Sequence, residues 1–367
     1  MSVVVKLAFF LAALAAVICT STAAGAERVG RSLIELTGPD GPVRGRLELR
    51  TAGAAWLTDE TGALHSLSLA NVRSHRRVAD RFVPLPTHRL ARRFREEIGP
   101  DAAVFAIRRY LVVRHASRTP GTFGSKLEQT YAAVSGWFAR RGVRLKEPEF
   151  PLIAIVHKDF GSFARAAAAD GAAPNAAAVP RMLKGYYSPT SNRLRVWEPP
   201  GGASDASFER TLIHEAVHQI AFNGGLHHRT GGTPRWVAEG LATALEAPAF
   251  LSAAGSISPS DRANLTRLRD YRTRSHPPGA LDDLVFGAGG DSLAGRDPLT
   301  FYAEAWAFSF FLMQTRGPQY GRYLQSIGQT TAASPDASAD RKAAFVSAFG
   351  ATPRRLRGEM DRYLAAL

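Results

Sequence analysis

The chain reads as an α+β protein. A small β-rich part, residues 27–98, precedes a mixed α/β half, residues 99–200, and a mainly helical half, residues 201–367. Three observations carry this reading. Up to Val72, apolar residues alternate in short runs between Gly, Pro and Asp turns, the period of half-buried strands. Between Phe105 and Trp197, solid apolar runs of strand length alternate with longer helical ones. Beyond Pro200, apolar positions recur at helical spacing in segments with recognisable starts and stops. A hydrophobic content of 45% is ordinary for a chain with a real core, so disorder is not the expectation.

Residues Met1 to Ala26 carry Lys6 as their only charge, an apolar run from Leu7 to Ile18, and small residues at Ala24-Gly25-Ala26. This pattern reads as a cleavable secretory signal, because the apolar core falls short of the ~20 residues that a membrane span needs. The expected product is exported, periplasmic or extracellular, with no membrane span after cleavage. The single cysteine, Cys19, lies inside this segment, behind the bulky Val17 and Ile18 that argue against a lipid anchor. A mature chain without thiols has no disulfides, and any metal must be held by nitrogen and oxygen. The net charge of +14 draws the chain to anionic surfaces, which outside the cytoplasm means envelope polymers or lipid headgroups. No zinc-finger, RNA-binding or helix-turn-helix pattern occurs, so no specific nucleic-acid partner is expected.

The elements follow in order. Leu33–Leu36, Arg46–Arg50 and Ala55–Leu57 alternate between turns at 38–42 and 59–62, which predicts hairpins. The Arg-rich segment from Arg73 to Arg95 reads as a solvated linker and helix face. Phe105–His115 and Pro151–His157 read as strands, Phe123–Arg141 as a helix ended by Gly142, and Asp159–Ala169 as a helix begun by an Asp cap. Ala166 to Pro180 is rich in Ala and Pro and reads as a mobile loop. Residues 183–188 and 193–197 flank Pro189-Thr190-Ser191-Asn192 as a hairpin, whose edge could pair with an extended peptide or serve simply as an internal hairpin. After Pro248 the chain reads as loops to Pro298, with one helix near Asp261–Arg274. An apolar helix follows at Thr300–Met313, then a polar loop at Thr330–Asp340, and a closing helical pair within Phe345–Leu367, its last helix opened by Pro353.

The chemistry concentrates in Thr211–Ile220, which contains H-E-x-x-H as His214-Glu215-Ala216-Val217-His218. At 3.6 residues per turn the two histidines share one helix face and can reach one Zn²⁺, while Glu215 lies beside that face, placed to take a proton from water. Asp205 or Ser207 can cap this helix, Phe208, Leu212, Ala216 and Ile220 form its buried seam, and Asn223-Gly224-Gly225 ends it. Two ordinary core histidines are the bland alternative, but buried Glu215 and Gln219 would then need partners that the motif does not supply. A catalytic zinc needs a third protein ligand, and Glu239 is the next candidate, on a helix started by Thr233-Pro234. Gly240 would let the two helices approach closely. Gly224 stands where a metzincin would place its third histidine, and His227 and His228 read as exposed loop residues.

HEAVH followed by Trp236-Val237-Ala238-Glu239-Gly240-Leu241-Ala242 resembles the gluzincin (peptidase MA-like) zinc metallopeptidases, which include a large group of aminopeptidases. The resemblance implies a zincin-like domain with His214, His218 and Glu239 as zinc ligands and Glu215 as general base. By the same resemblance Tyr302 could aim its hydroxyl at a developing oxyanion, although Tyr302, Trp306, Phe310 and Met313 also read as a core stripe. Residues 100–367 further resemble secreted bacterial HExxH domains of unknown function, through Lys184–Tyr187, HEAVH, the Trp-to-Ala motif and Tyr302–Trp306. The chain lacks the G-x-M-E-N motif that grips a free peptide amine, so amino-terminal trimming is not implied. The expectation is an exported Zn²⁺-dependent hydrolase, foremost a peptidase acting on a peptide or protein. The alternative is a non-catalytic scaffold that binds an anionic envelope polymer.

Overall fold

Six consecutive buried residues, Leu152–His157, form the central strand of the sheet on which the site is built. The computed structural model describes residues 27–28, 30–99, 101–115, 121–198, 206–251, 259–287, 296–330 and 337–367. Residues 1–26, read above as a secretory signal, therefore lie outside the described residues. The strands are β1 (Glu27–Arg28), β2 (Leu33–Gly38), β3 (Gly41–Arg50), β4 (Ala54–Thr58), β5 (Leu64–Ser68), β6 (Ser74–Ala79), β7 (Ala102–Ile107), β8 (Tyr110–His115), β9 (Leu152–His157), β10 (Gly185–Ser188) and β11 (Arg193–Trp197). The helices are α1 (Thr87–Ile98), α2 (Gly121–Ala139), α3 (Phe160–Ala169), α4 (Ala206–Asn223), α5 (Arg235–Leu245), α6 (Pro259–Arg262), α7 (Leu265–Thr273), α8 (Ala280–Phe286), α9 (Pro298–Thr315), α10 (Gly317–Ile327), α11 (Ala337–Phe349) and α12 (Pro353–Ala365). No helix among the described residues is long and apolar enough to cross a membrane.

The fold is mixed α+β, with a β-rich N-terminal part and a helical C-terminal half, as the patterning predicts. The first sheet runs β5-β4-β3-β2-β6, with β1 also paired to β3. The second runs β10-β11-β9-β8-β7; β9 is parallel to both β8 and β11, and the edge strands β7 and β10 are antiparallel. Parallel strands are covered on both faces, which is why β9 reads as an unbroken apolar run. Its alternate residues divide between two cores. Ile153 and Ile155 face Leu90 and Phe94 of α1, while Ala154 and Val156 join the main core with α2, α4, α5 and α9.

Several segments differ from the sequence reading for identifiable reasons. The strand expected at 105–115 is two strands, β7 and β8, folded at Arg108, whose φ of 29° makes a turn that no Gly, Pro, Asn or Asp announces. Residues 74–79 of the expected linker form β6, an edge strand exposed along its length, where arginines guard the open edge. The stretch expected to be a mobile loop is anchored. Ala173 and Val179 are buried, and Asp170 accepts from Arg195 Nε at 2.9 Å. Asp159 caps α3 as expected, its side-chain oxygen accepting from the Ser162 N–H at 2.7 Å. Asp205 lies outside the described residues, and Ser207 sits inside α4, paired with Lys184 instead of capping. The loop-rich region after Pro248 also holds α6 and α8, and α10 follows α9 directly.

Candidate metal centre

The α4 helix is buried on nearly every side from Leu212 to Ala221, a wider burial than the one seam expected. Its buried Gln219 and Glu215 each meet a neighbour, although Gln219 Oε1 has no partner. Gln219 Nε2 donates to Ile153 O at 3.1 Å and to Asn192 O at 3.3 Å. Glu215 Oε2 accepts from the backbone N–H of Tyr187, on edge strand β10, at 2.8 Å. The hairpin that carries Tyr187 is itself tied to α4. Tyr187 Oη donates to Asn192 Oδ1 at 2.8 Å, and the Asn192 and Asn223 amides bond reciprocally at 2.8 and 3.0 Å. Asn192 occupies the left-handed region, φ 57°, that its short polar side chain tolerates.

The structure brings His214, His218 and Glu239 together. One ligand atom from each lies within 4.8 Å of the others, the only such group of three among the described residues. His214 Nε2 and His218 Nε2 are 3.1 Å apart, and Glu239 Oε2 is 3.4 Å from the first and 3.8 Å from the second. Glu239 is fully buried, yet neither carboxylate oxygen has a hydrogen-bond partner. A bare buried carboxylate facing two imidazole nitrogens is costly unless a cation completes it, so the donor set fits a metal ion. His214 Nδ1 lies 2.7 Å from Glu246 Oε2, an acceptor, so a neutral ring keeps its proton on Nδ1 and offers Nε2 toward the common point.

Electrostatics follow from this burial. Burial raises the Glu215 pKa, partly offset by the two histidines and the Tyr187 amide. Burial works against a charged His214, but its contacts with Glu239 and Glu246 outweigh that and hold its pKa well above the ordinary value.

Sequence reasoning missed three supporting groups. Glu246 ends α5, and its other oxygen accepts from Asn264 Nδ2 at 2.7 Å. A carboxylate at a helix C-terminus opposes the helix dipole, which was the available signal. Arg267 on α7 is 3% exposed, donates to Asp270 at 3.0 Å, and adds its positive charge near Glu246 and Glu239. The third is the Tyr187 main-chain amide, which no sequence pattern marks.

Gly240 does permit a close approach, but to α9 instead of α4. A Cβ there would collide with Ser309 Oγ and the Ala305 carbonyl. Tyr302 on α9 is 1% exposed, and its hydroxyl has no hydrogen-bond partner. Burial and the Glu239 charge push its pKa up, so it remains a protonated phenol near the site at neutral pH. Glu304, in the same motif, belongs to a separate buried cluster with His276 Nδ1 at 2.8 Å and Arg296 Nη2 at 2.9 Å. His227 and His228 are not exposed: His227 is 2% exposed and His228 is half-buried, because the first sheet roofs their loop. Neither belongs to the metal group.

Residues 209–334 match a family described as a protein of unknown function (DUF1570), a stretch that contains His214, Glu215, His218, Glu239 and Tyr302. No curated protein matches the chain.

Proposed function

We propose that the chain is an exported zinc-dependent metallohydrolase, foremost a peptidase of gluzincin type. The observation that carries this is the convergence of His214, His218 and Glu239 with Glu215 held beside them. Zinc bound to those three side chains would supply Lewis acidity to a carbonyl and to water. Glu215 Oε2 is fixed by the Tyr187 amide, which leaves Oε1 as the oxygen to take a proton from the attacking water. As the water oxygen bonds to the carbonyl carbon and the C–N bond breaks, Glu215 passes that proton to the departing nitrogen. Tyr302, a neutral phenol, is the donor for the negative charge that develops on the carbonyl oxygen. The secretory pattern of residues 1–26 supports export.

Metal analysis with a peptide-library digest tests this reading. Mature protein should carry about one zinc per chain, and Glu239→Ala should lose it. Glu215→Gln should keep the metal and lose about 10²-fold or more of turnover. Tyr302→Phe should keep the metal and lose about 10²-fold in kcat. Full turnover in Glu215→Gln would sink the mechanism.

A second reading, a scaffold for an anionic envelope polymer, draws on the exposed strand β6 with Arg76 and Arg77 and on the net charge of +14. Salt-sensitive retention on cell-wall material, indifferent to chelator and without cleavage products, would favour it.

A further inference from the structure

The strap that joins β6 to α1 is held on its inner side and open on its outer one. Phe82 is buried against Phe150, with ring centroids 6.2 Å apart, and its N–H donates to Arg31 O at 2.8 Å. Leu85 N donates to Glu60 O at 2.7 Å, and its side chain packs into the core beneath α1. Arg81 and Val83, on either side of Phe82 in the chain, are exposed, Val83 at 57%. A β-bulge turns a second valine outward. Leu33 pairs with Ala79 and Ile34 with Arg77, so Val78 is the extra residue of β6, and it is 37% exposed.

Arginines flank these valines along the chain. Arg73, Arg81, Arg89, Arg92 and Arg93 are exposed and have no carboxylate partner among the described residues. Arg76 is spent on the buried Glu35 at 2.7 Å, and Arg77 shares the exposed Asp80 at 3.2 Å. The α1 arginines lie outside the seam that Leu90 and Phe94 bury, and Glu96 on the same exposed side offsets them in part. A single exposed valine is ordinary on a protein surface. Two on one anchored strap, among arginines without counter-charges, suit a partner that is both anionic and apolar.

We infer that the β6–α1 strap is a docking face for an anionic phospholipid surface, with Val78 and Val83 entering the headgroup layer and Arg73, Arg81 and the α1 arginines meeting lipid phosphates. A guanidinium matches phosphate through paired N–H groups. No helix among the described residues can cross a membrane, so the chain would lie on the bilayer by this face. A soluble anionic polymer would engage the arginines and leave the valines in water, which separates this inference from the polymer scaffold. It rests on neither reading of the metal centre, because no residue of the strap belongs to the metal group.

Cosedimentation of the mature chain with vesicles tests it. Vesicles of equal parts phosphatidylglycerol and phosphatidylcholine should bind the chain saturably, and phosphatidylcholine alone about tenfold more weakly or worse. Arg81→Gln combined with Arg92→Gln should weaken binding by about tenfold or more, since each basic residue near an anionic surface is worth about fivefold. Val78→Ser combined with Val83→Ser should weaken vesicle binding by about fivefold and leave the affinity for soluble polyphosphate unchanged. All four side chains are exposed, and melting temperatures confirm that the variants fold. Residues 27–367 contain no cysteine, so a polarity-sensitive dye on Val83→Cys reports that position alone. Its emission should shift to the blue on the anionic vesicles and stay in place with polyphosphate. The inference is overturned if the anionic vesicles do not bind. It is equally overturned if the serine pair binds them as well as the parent does, or if the dye does not shift, outcomes that assign the face to a soluble polyanion. Chelator should leave vesicle binding unchanged, so failure here and failure of the metal chemistry are read separately.

Discussion

At the scale of single residues, the candidate centre is held as much by its supporting groups as by its ligands. Glu246 fixes the tautomer of His214 and is fixed in turn by Asn264. Removing such a carboxylate leaves the ligand set intact but loosens the ring, so Glu246→Ala should weaken metal affinity by about 10–100-fold in a competitive chelator titration. His157, at the end of β9, makes a contrasting case. Burial, helped by the nearby Arg195 charge, holds its pKa at about 3, and its Nε2 has no partner. The unfolded chain binds this proton more readily, near an ordinary pKa of ~6.5. Its contribution to stability is therefore complete above that value and is lost as pH falls toward 3. In denaturant titrations between pH 7 and pH 4, His157→Phe should flatten the fall in stability by up to about 1.4 kcal/mol per pH unit. An unchanged slope would place the acid sensitivity elsewhere.

At the scale of elements, α5 is set by its neighbours more than by its own text. Arg235 to Leu245 is buried throughout, and Gly240 lies where α9 offers no room for a methyl group. Gly240→Ala must push α5 and α9 apart, at a cost of about 1–3 kcal/mol or more. Because Glu239 precedes Gly240 on that helix, the same substitution should reduce bound metal, which distinguishes it from overpacking elsewhere in the core. His214, His218 and Glu239 were legible in the sequence because each sits in a strong local pattern: an i, i+4 histidine pair and a helix with a Pro start. The partner of Gly240 was not, since helical spacing shows that a close approach exists without saying to what. The β7–β8 turn was missed for a similar reason. The break between the two apolar runs is Arg108-Arg109, which lacks the Gly, Pro, Asn or Asp that mark a turn, and only the chain's return along β8 exposes the fold.

At the scale of the whole molecule, the first sheet is joined to the rest of the chain by hydrogen bonds at its β4–β5 turn. Arg229 draws together the β4–β5 turn through Gly62, the β10–β11 turn through Pro189 and Thr190, and its own loop. Leu64 N adds a backbone bond to Thr190 O at 2.7 Å, and Gly62 at φ 88° lies against Phe150. Arg229→Met removes the donor and leaves the Pro189 and Gly62 carbonyls to find water, while Thr190 O keeps the Leu64 N–H. It should cost about 1–3 kcal/mol and raise hydrogen exchange at the Leu64 amide while sparing β9. Nothing in the alternating text of residues 33–68 announces this docking, because period-two patterning assigns a buried face without naming what buries it. The burial of His227 and His228 was illegible for the same cause.

The hydrogen bond from the Tyr187 amide to Glu215 has an evolutionary side. The donor is main chain, so it survives every substitution at position 187 except proline. Drift in the hairpin can exchange side chains, within what the surrounding packing allows, without releasing the carboxylate. A centre oriented by backbone is in this respect mutationally buffered, and the vulnerable positions shift to those that set the hairpin's register, Asn192 and Asn223 foremost.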